Sequence, residues 1–71
     1  MQVECSYNEA RGRMVAAGRM LAGFDQATLG EMAGVSGGTI SNVERGNEVR
    51  EETMKSVRKA LKLAGISAFI D

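Results

Sequence analysis

Between positions 36 and 45 the sequence gathers Ser36, Thr39, Ser41, Asn42 and Arg45, side chains whose chemistry is hydrogen bonding rather than bond making. Asn42 carries a donor and an acceptor side by side, so it can bond bidentately to any partner that offers the complementary pair. Ser41 and Thr39 discriminate less, because a hydroxyl both donates and accepts. Arg45 stands three residues after Asn42 and shares its face if the segment is helical. Covalent chemistry has no comparable set. The sequence has no histidine and a single cysteine, Cys5, which excludes an intrachain disulfide, a Cys/His zinc site and any histidine-based triad or dyad. It also lacks a glycine-rich phosphate loop ending in Lys-Ser/Thr. The expectation is a binding protein rather than an enzyme, with no cofactor and no metal.

With 71 residues, 44% of them hydrophobic and 25% charged, the chain has the composition of one small globular domain. A domain this small buries only about 60% of its unfolded surface, so a partner subunit is expected from size alone. Nine Lys and Arg balance nine Asp and Glu, so bulk charge selects neither nucleic acid, membrane nor an acidic substrate, and any such preference must come from local distribution. No apolar run approaches the roughly 18 residues of a membrane span, and the first residues have no secretory pattern. The expectation is an intracellular protein that does not enter a membrane.

The elements that must position the polar cluster are marked by their ends. Met1 to Cys5 reads as an extended arm or frayed end. Ser6-Tyr7-Asn8-Glu9 has the form of a capping box and starts a helix near Tyr7. Ala10, Met14, Ala17 and Leu21 recur in three- and four-residue steps and are expected to face inward, with Gly23 as the stop. Tyr7, Met14 and Met20 are expected to be packing residues. Asp25 caps a second helix through the amide of Ala27 or Thr28, with Leu29, Met32 and Ala33 on its inner face and Gly34 at its end. Ser36 caps a third, whose inward residues are Ile40 and Val43 and which ends at Gly46. A fourth helix, from about Glu51 to Ala64, has Met54, Val57, Leu61 and Ala64 inward. Its acids Glu51 and Glu52 precede its bases, as the helix dipole favours. The tail Ile66-Ser67-Ala68-Phe69-Ile70 is apolar and β-like and should pack on something.

Two short helices joined by a glycine-containing turn form a helix-turn-helix pattern. The run Gly23-Phe24-Asp25-Gln26-Ala27-Thr28-Leu29-Gly30-Glu31-Met32-Ala33-Gly34-Val35-Ser36, continued by Gly37-Gly38-Thr39-Ile40-Ser41-Asn42-Val43-Glu44-Arg45-Gly46, resembles the Cro and phage-repressor type helix-turn-helix family, also called XRE. The resemblance covers roughly residues 10 to 64. It implies an all-α, repressor-like domain of four to five helices over residues 1–71, with the helix-turn-helix proper at about 25–45. The C-terminal helix and tail, 51–71, are expected to serve dimerisation, ending in a short extended segment.

The resemblance also implies roles for residues. Gln26 would contact a DNA phosphate at a helix N-terminus. The third helix would enter the major groove and present Ser36, Gly37, Gly38, Thr39, Ser41, Asn42 and Arg45. Arg45, Asn47 and Arg50 would touch the sugar-phosphate backbone, with Arg50 able to pair instead with Glu48 or Glu51. Arg19 and Glu44 match a structural ion pair between the first and third helices. The sequence departs from the family pattern at Gly37 and Gly38, where members often place base-reading side chains. Readout then falls mainly to Asn42, and the glycines favour close approach to a phosphate or groove wall. Lys55, Arg58, Lys59 and Lys62 read as a solvated helix face. Leu29, Val35, Ile40 and Val43 read as core.

The expected function is sequence-specific binding of double-stranded DNA by a dimeric repressor or autorepressor of a small phage or bacterial operon. It would act by occupying a palindromic operator in the cytoplasm of a bacterial or phage-infected cell. Half-sites would lie about 34 Å apart or a multiple of that. The alternative, supported by the glycines and the zero net charge, is an antitoxin or adaptor whose main partner is a toxin or another protein.

Overall fold

The computed structural model of the chain describes residues 6–66, which form four α-helices and, among those residues, no strand: α1 (Tyr7–Ala22), α2 (Gln26–Ala33), α3 (Gly37–Glu44) and α4 (Glu51–Leu63). Local chemistry sets most of the ends. At α1 the Ser6 hydroxyl accepts from the Glu9 amide at 3.1 Å while the Glu9 carboxylate accepts from the Ser6 amide at 3.2 Å, the reciprocal capping box. Asp25 caps α2 by accepting from the Thr28 amide at 2.7 Å, and Ser36 caps α3 by accepting from the Thr39 amide at 3.0 Å. α1 and α2 end on left-handed glycines, Gly23 (φ 80°) and Gly34 (φ 76°), a conformation a β-carbon resists. α3 closes one residue before its glycine, with Arg45 in the cap position and Gly46 beyond it at φ 81°. Arg50 precedes α4 without a side-chain cap.

One core joins the helices: Val15 of α1, Leu29 of α2, Ile40 and Val43 of α3, and Met54, Val57, Ala60 and Leu61 of α4, with Ala33, Val35, Val49 and Ile66 packed against it. The inward residues of α3 and the Met54, Val57 and Leu61 stripe of α4 match their periodicity. Ala60 joins that stripe, and Ala64 is only half-buried.

α1 departs from its apolar pattern. Ala10, Met14, Ala17 and Leu21, the expected inward set, are exposed, as are Tyr7 and Met20, while the buried residues are Gly12, Val15 and Gly18. The reason is shape. A β-carbon at Gly12 would collide with the Val43 carbonyl oxygen and lie 2.9 Å from that of Glu44, and one at Gly18 would lie 3.0 Å from the Ile66 side chain. α1 therefore meets α3 backbone to backbone, which only its glycine-bearing face permits. Met32 of α2, also expected inward, is 44% exposed. The expected roles of Met1 to Cys5 and of Ser67 to Ile70 lie outside the described residues.

Candidate nucleic-acid interface

α3 is held in place from two sides by glycines. On the α2 side, a β-carbon at Gly30 would lie 2.8 Å from the Val35 carbonyl oxygen, and one at Gly37 would lie 3.3 Å from the Ala27 Cα. On the α1 side it rests on Gly12. Ile40 and Val43 are buried, so the opposite side of α3 faces out: Gly38, Asn42 and Arg45 are exposed, and Gly37, Thr39 and Ser41 half-buried. Gly37 therefore has a packing reason at the α2–α3 turn. Gly38 has none of comparable force, since its nearest neighbour would be the Ser36 hydroxyl at 3.6 Å. The Ser36 and Thr39 hydroxyls lie 3.0 Å apart, so both are engaged in the cap.

Asn42 is the hub of the exposed face. Its Oδ1 accepts from the Arg45 guanidinium at 2.8 Å and from the Asn47 side-chain amide at 3.2 Å. Two donors onto one oxygen settle which end of the amide is which, and they use both of its lone pairs. Asn42 therefore presents its NH2 outward with the acceptor occupied. Bidentate pairing with adenine, which needs that acceptor, requires Arg45 or Asn47 to let go. In return, Arg45 and Asn47 are held at the C-terminal end of α3 beside the residue they would flank on a DNA backbone.

Beneath this face lies a half-buried ionic node. Arg19 donates from Nε and Nη2 to the two Glu44 oxygens at 2.6 and 3.1 Å, and from Nη1 to the Phe24 carbonyl at 3.0 Å. The expected Arg19–Glu44 pair is thus a two-pronged clamp between α1 and α3 that also ties down the loop before α2. Its hydrogen bonds to Glu44 push the Arg19 pKa up. Gln26 joins the node, donating from Nε2 to Glu44 Oε1 at 3.1 Å. That bond fixes the amide's orientation at the α2 N-terminus and leaves its second N–H and its carbonyl for another partner. Asp25, adjacent, has its carboxyl held below the usual range chiefly by the Thr28 amide. A phosphate approaching Gln26 would therefore meet a helix end already partly satisfied by a carboxylate.

Arg50 is exposed and pairs loosely with Glu52 at 4.0 Å, rather than with Glu48 or Glu51. On α4, Arg58 lies 3.7 Å from Glu51, which also pairs with Arg11 at 3.3 Å. The structure thus brings Asn42, Arg45 and Asn47 together and links Gln26 to α3 through Glu44. The residues that sequence reasoning missed are Gly12, which sets how closely α1 approaches α3, and Gly30, which lets α2 pack against the Val35–Ser36 turn that leads into α3. Their signal was a mid-helix glycine, which costs up to about 1 kcal/mol relative to alanine and so needs a reason.

Among the described residues no His, Cys, Asp and Glu cluster could hold a metal ion, and no helix is long and apolar enough to cross a membrane. The sequence matches the family described as helix-turn-helix over residues 15–67. No curated protein and no solved structure matches the chain.

Proposed function

The chain belongs to the helix-turn-helix family of the XRE, Cro/C1 type, a family of DNA-binding transcription regulators, and from that premise we propose that it is a dimeric repressor. It binds a palindromic operator, in its own promoter or that of a small phage or bacterial operon, and represses by occupancy in the cytoplasm. The observation that carries the reading is the exposed face of α3. Asn42 stands there between two polar neighbours, on a helix rigidly seated against α1 and α2, with its only acid, Glu44, neutralised from behind by Arg19. Seating a reading helix on a stiff scaffold lets a few side chains meet base edges at fixed positions. Arg45, Asn47 and Arg50 supply backbone contacts, and Gln26 clamps a phosphate at the α2 N-terminus.

Fluorescence anisotropy with the DNA upstream of the chain's own gene, against scrambled DNA and with an Asn42→Ala variant, tests this. Preferential binding that the variant loses is the expected result. Equal, weak binding to both DNAs would move the protein to the second reading, an antitoxin or adaptor, which the exposed apolar residues of α1 favour.

A further inference from the structure

Gly38 lies four residues before Asn42, on the same exposed face of α3. Helical side chains lean toward the N-terminus, so the patch that the Asn42 amide covers is the turn that carries Gly38. Nothing fills that patch: a β-carbon at Gly38 would meet only the Ser36 hydroxyl, at 3.6 Å. A glycine inside a helix is unfavourable without a reason, and Gly38 lacks the packing reason that Gly37 has. Asparagine is a short side chain, and the bare turn beside it lets a partner come down to its amide.

The amide uncovered in this way offers donors only. Arg45 Nη2 at 2.8 Å and Asn47 Nδ2 at 3.2 Å occupy both lone pairs of Asn42 Oδ1. Both donors come from residues C-terminal to Asn42, so the planar amide turns its own Nδ2 away from them, and that nitrogen has no hydrogen-bond partner among the described residues. The positive charge of Arg45 on the oxygen polarises the amide and strengthens its N–H groups as donors.

Major-groove edges answer such a group unequally. Guanine presents two acceptors, N7 and O6, and thymine presents one, O4, beside a methyl group. Adenine sets its N6 amino group next to N7, and cytosine presents only an amino group. Against those two amino groups the Asn42 NH2 meets a second donor, and donors facing each other without an acceptor are left unsatisfied. We propose that Asn42 reads guanine in the major groove, with Arg45 and Asn47 holding its oxygen and Gly38 clearing its path. The assignment rests on the DNA-binding reading above, and it departs from the adenine pairing of an asparagine whose acceptor is free. Asn47 is a positioning residue here, acting on the base only through Asn42.

Selection of operators from random-sequence duplexes by the full chain, followed by anisotropy titrations, tests this. The base pair that Asn42 reads is the one to which Asn42→Ala becomes indifferent. At that pair the wild type is expected to favour guanine over adenine by about tenfold, the effect of one well-placed base contact. Combining Arg45→Ala with Asn47→Ala frees both lone pairs, so the double variant should bind every operator more weakly and rank adenine above guanine. A merely structural role would lower affinity and leave the rank unchanged. Gly38→Leu, checked by thermal melting for an intact fold, should lose the guanine preference and keep salt-dependent binding to DNA. A guanine preference that survives in the double variant or in Gly38→Leu would overturn the proposal, as would an Asn42→Ala variant that keeps every preference of the wild type. Duplexes without any enriched sequence would remove the DNA-binding reading and this inference together, whereas an enriched sequence with adenine at that pair would remove the inference alone.

Discussion

Replacing Gly12 with alanine should destabilise this domain, although the same change in an exposed helix stabilises by about 1 kcal/mol. The new methyl would overlap the Val43 carbonyl oxygen and stand 2.9 Å from the Glu44 oxygen and 3.1 Å from the Glu44 carbonyl carbon. All three are backbone atoms of α3, and they cannot rotate out of the way as a side chain would. α1 must instead back off, opening the packing around Val15, Ile40 and Val43 and stretching the 2.6 Å Arg19–Glu44 bond. Overpacking of a tight contact costs roughly 1–3 kcal/mol, and a backbone obstacle places this case at the upper end. Subtracting the helix-propensity gain of about 1 kcal/mol leaves a net loss of about 2 kcal/mol. At about 4–8 °C per kcal/mol for a domain this small, the melting temperature should fall by roughly 8–16 °C. Gly38→Ala is the control. Its methyl meets nothing closer than the Ser36 hydroxyl at 3.6 Å, so it should be neutral or stabilising by up to about 1 kcal/mol. Paired thermal and urea melts followed by circular dichroism make the measurement. If both variants melt at or above the wild type, the backbone contact between α1 and α3 is not what turns the glycine face inward.

Arg19→Met strands the largely buried Glu44 carboxylate and should cost about 3 kcal/mol or more in urea unfolding, while combining it with Glu44→Leu should regain most of that loss. If each protomer neutralises roughly four phosphates, the logarithm of operator affinity should fall with the logarithm of salt at a slope near −7 for the dimer, at about −0.9 per phosphate. A slope near zero in an anisotropy titration would remove the backbone contacts assigned to Gln26, Arg45, Asn47 and Arg50. Asn47→Ala frees one lone pair of Asn42 Oδ1 and should shift the preference toward adenine opposite Asn42 in a panel of single-base operator variants; an unchanged preference would mean that the network opens freely on DNA. The carboxyls of Asp25 and Glu9 are held below the usual range, chiefly by the Thr28 and Ser6 amides. Their contribution is complete above about pH 5 and is lost as pH falls through their lowered folded-state values. Asp25→Asn keeps a cap without the charge, so its urea midpoint should decline less than that of the wild type on acidification.

The polar face of α3 was legible because it is the remainder once Ile40 and Val43 are assigned inward, a step that needs only the helical period. What Asn42 offers a partner was not. The bonds from Arg45 and Asn47 that occupy its oxygen depend on how three flexible side chains settle at the end of α3 and in the following loop. Gln26 was likewise readable as a residue at a helix start, but its tether to Glu44 spans two elements.

The local sequence settled where α1 and α2 begin and end and where α3 begins, because caps act within one turn: Ser6 with Glu9, Asp25 with Thr28, Ser36 with Thr39, and the left-handed glycines Gly23 and Gly34. It also determined the inward residues of α3 and most of those of α4, where a single apolar stripe leaves one choice. Only the tertiary structure decided which side of α1 faces the core. That helix carries two candidate faces, and hydrophobicity favours the one bearing Met14 and Leu21. Close approach to the α3 backbone admits only the one bearing Gly12, because a contact between two main chains is limited by the volume of a β-carbon and not by how much apolar surface lies beside it.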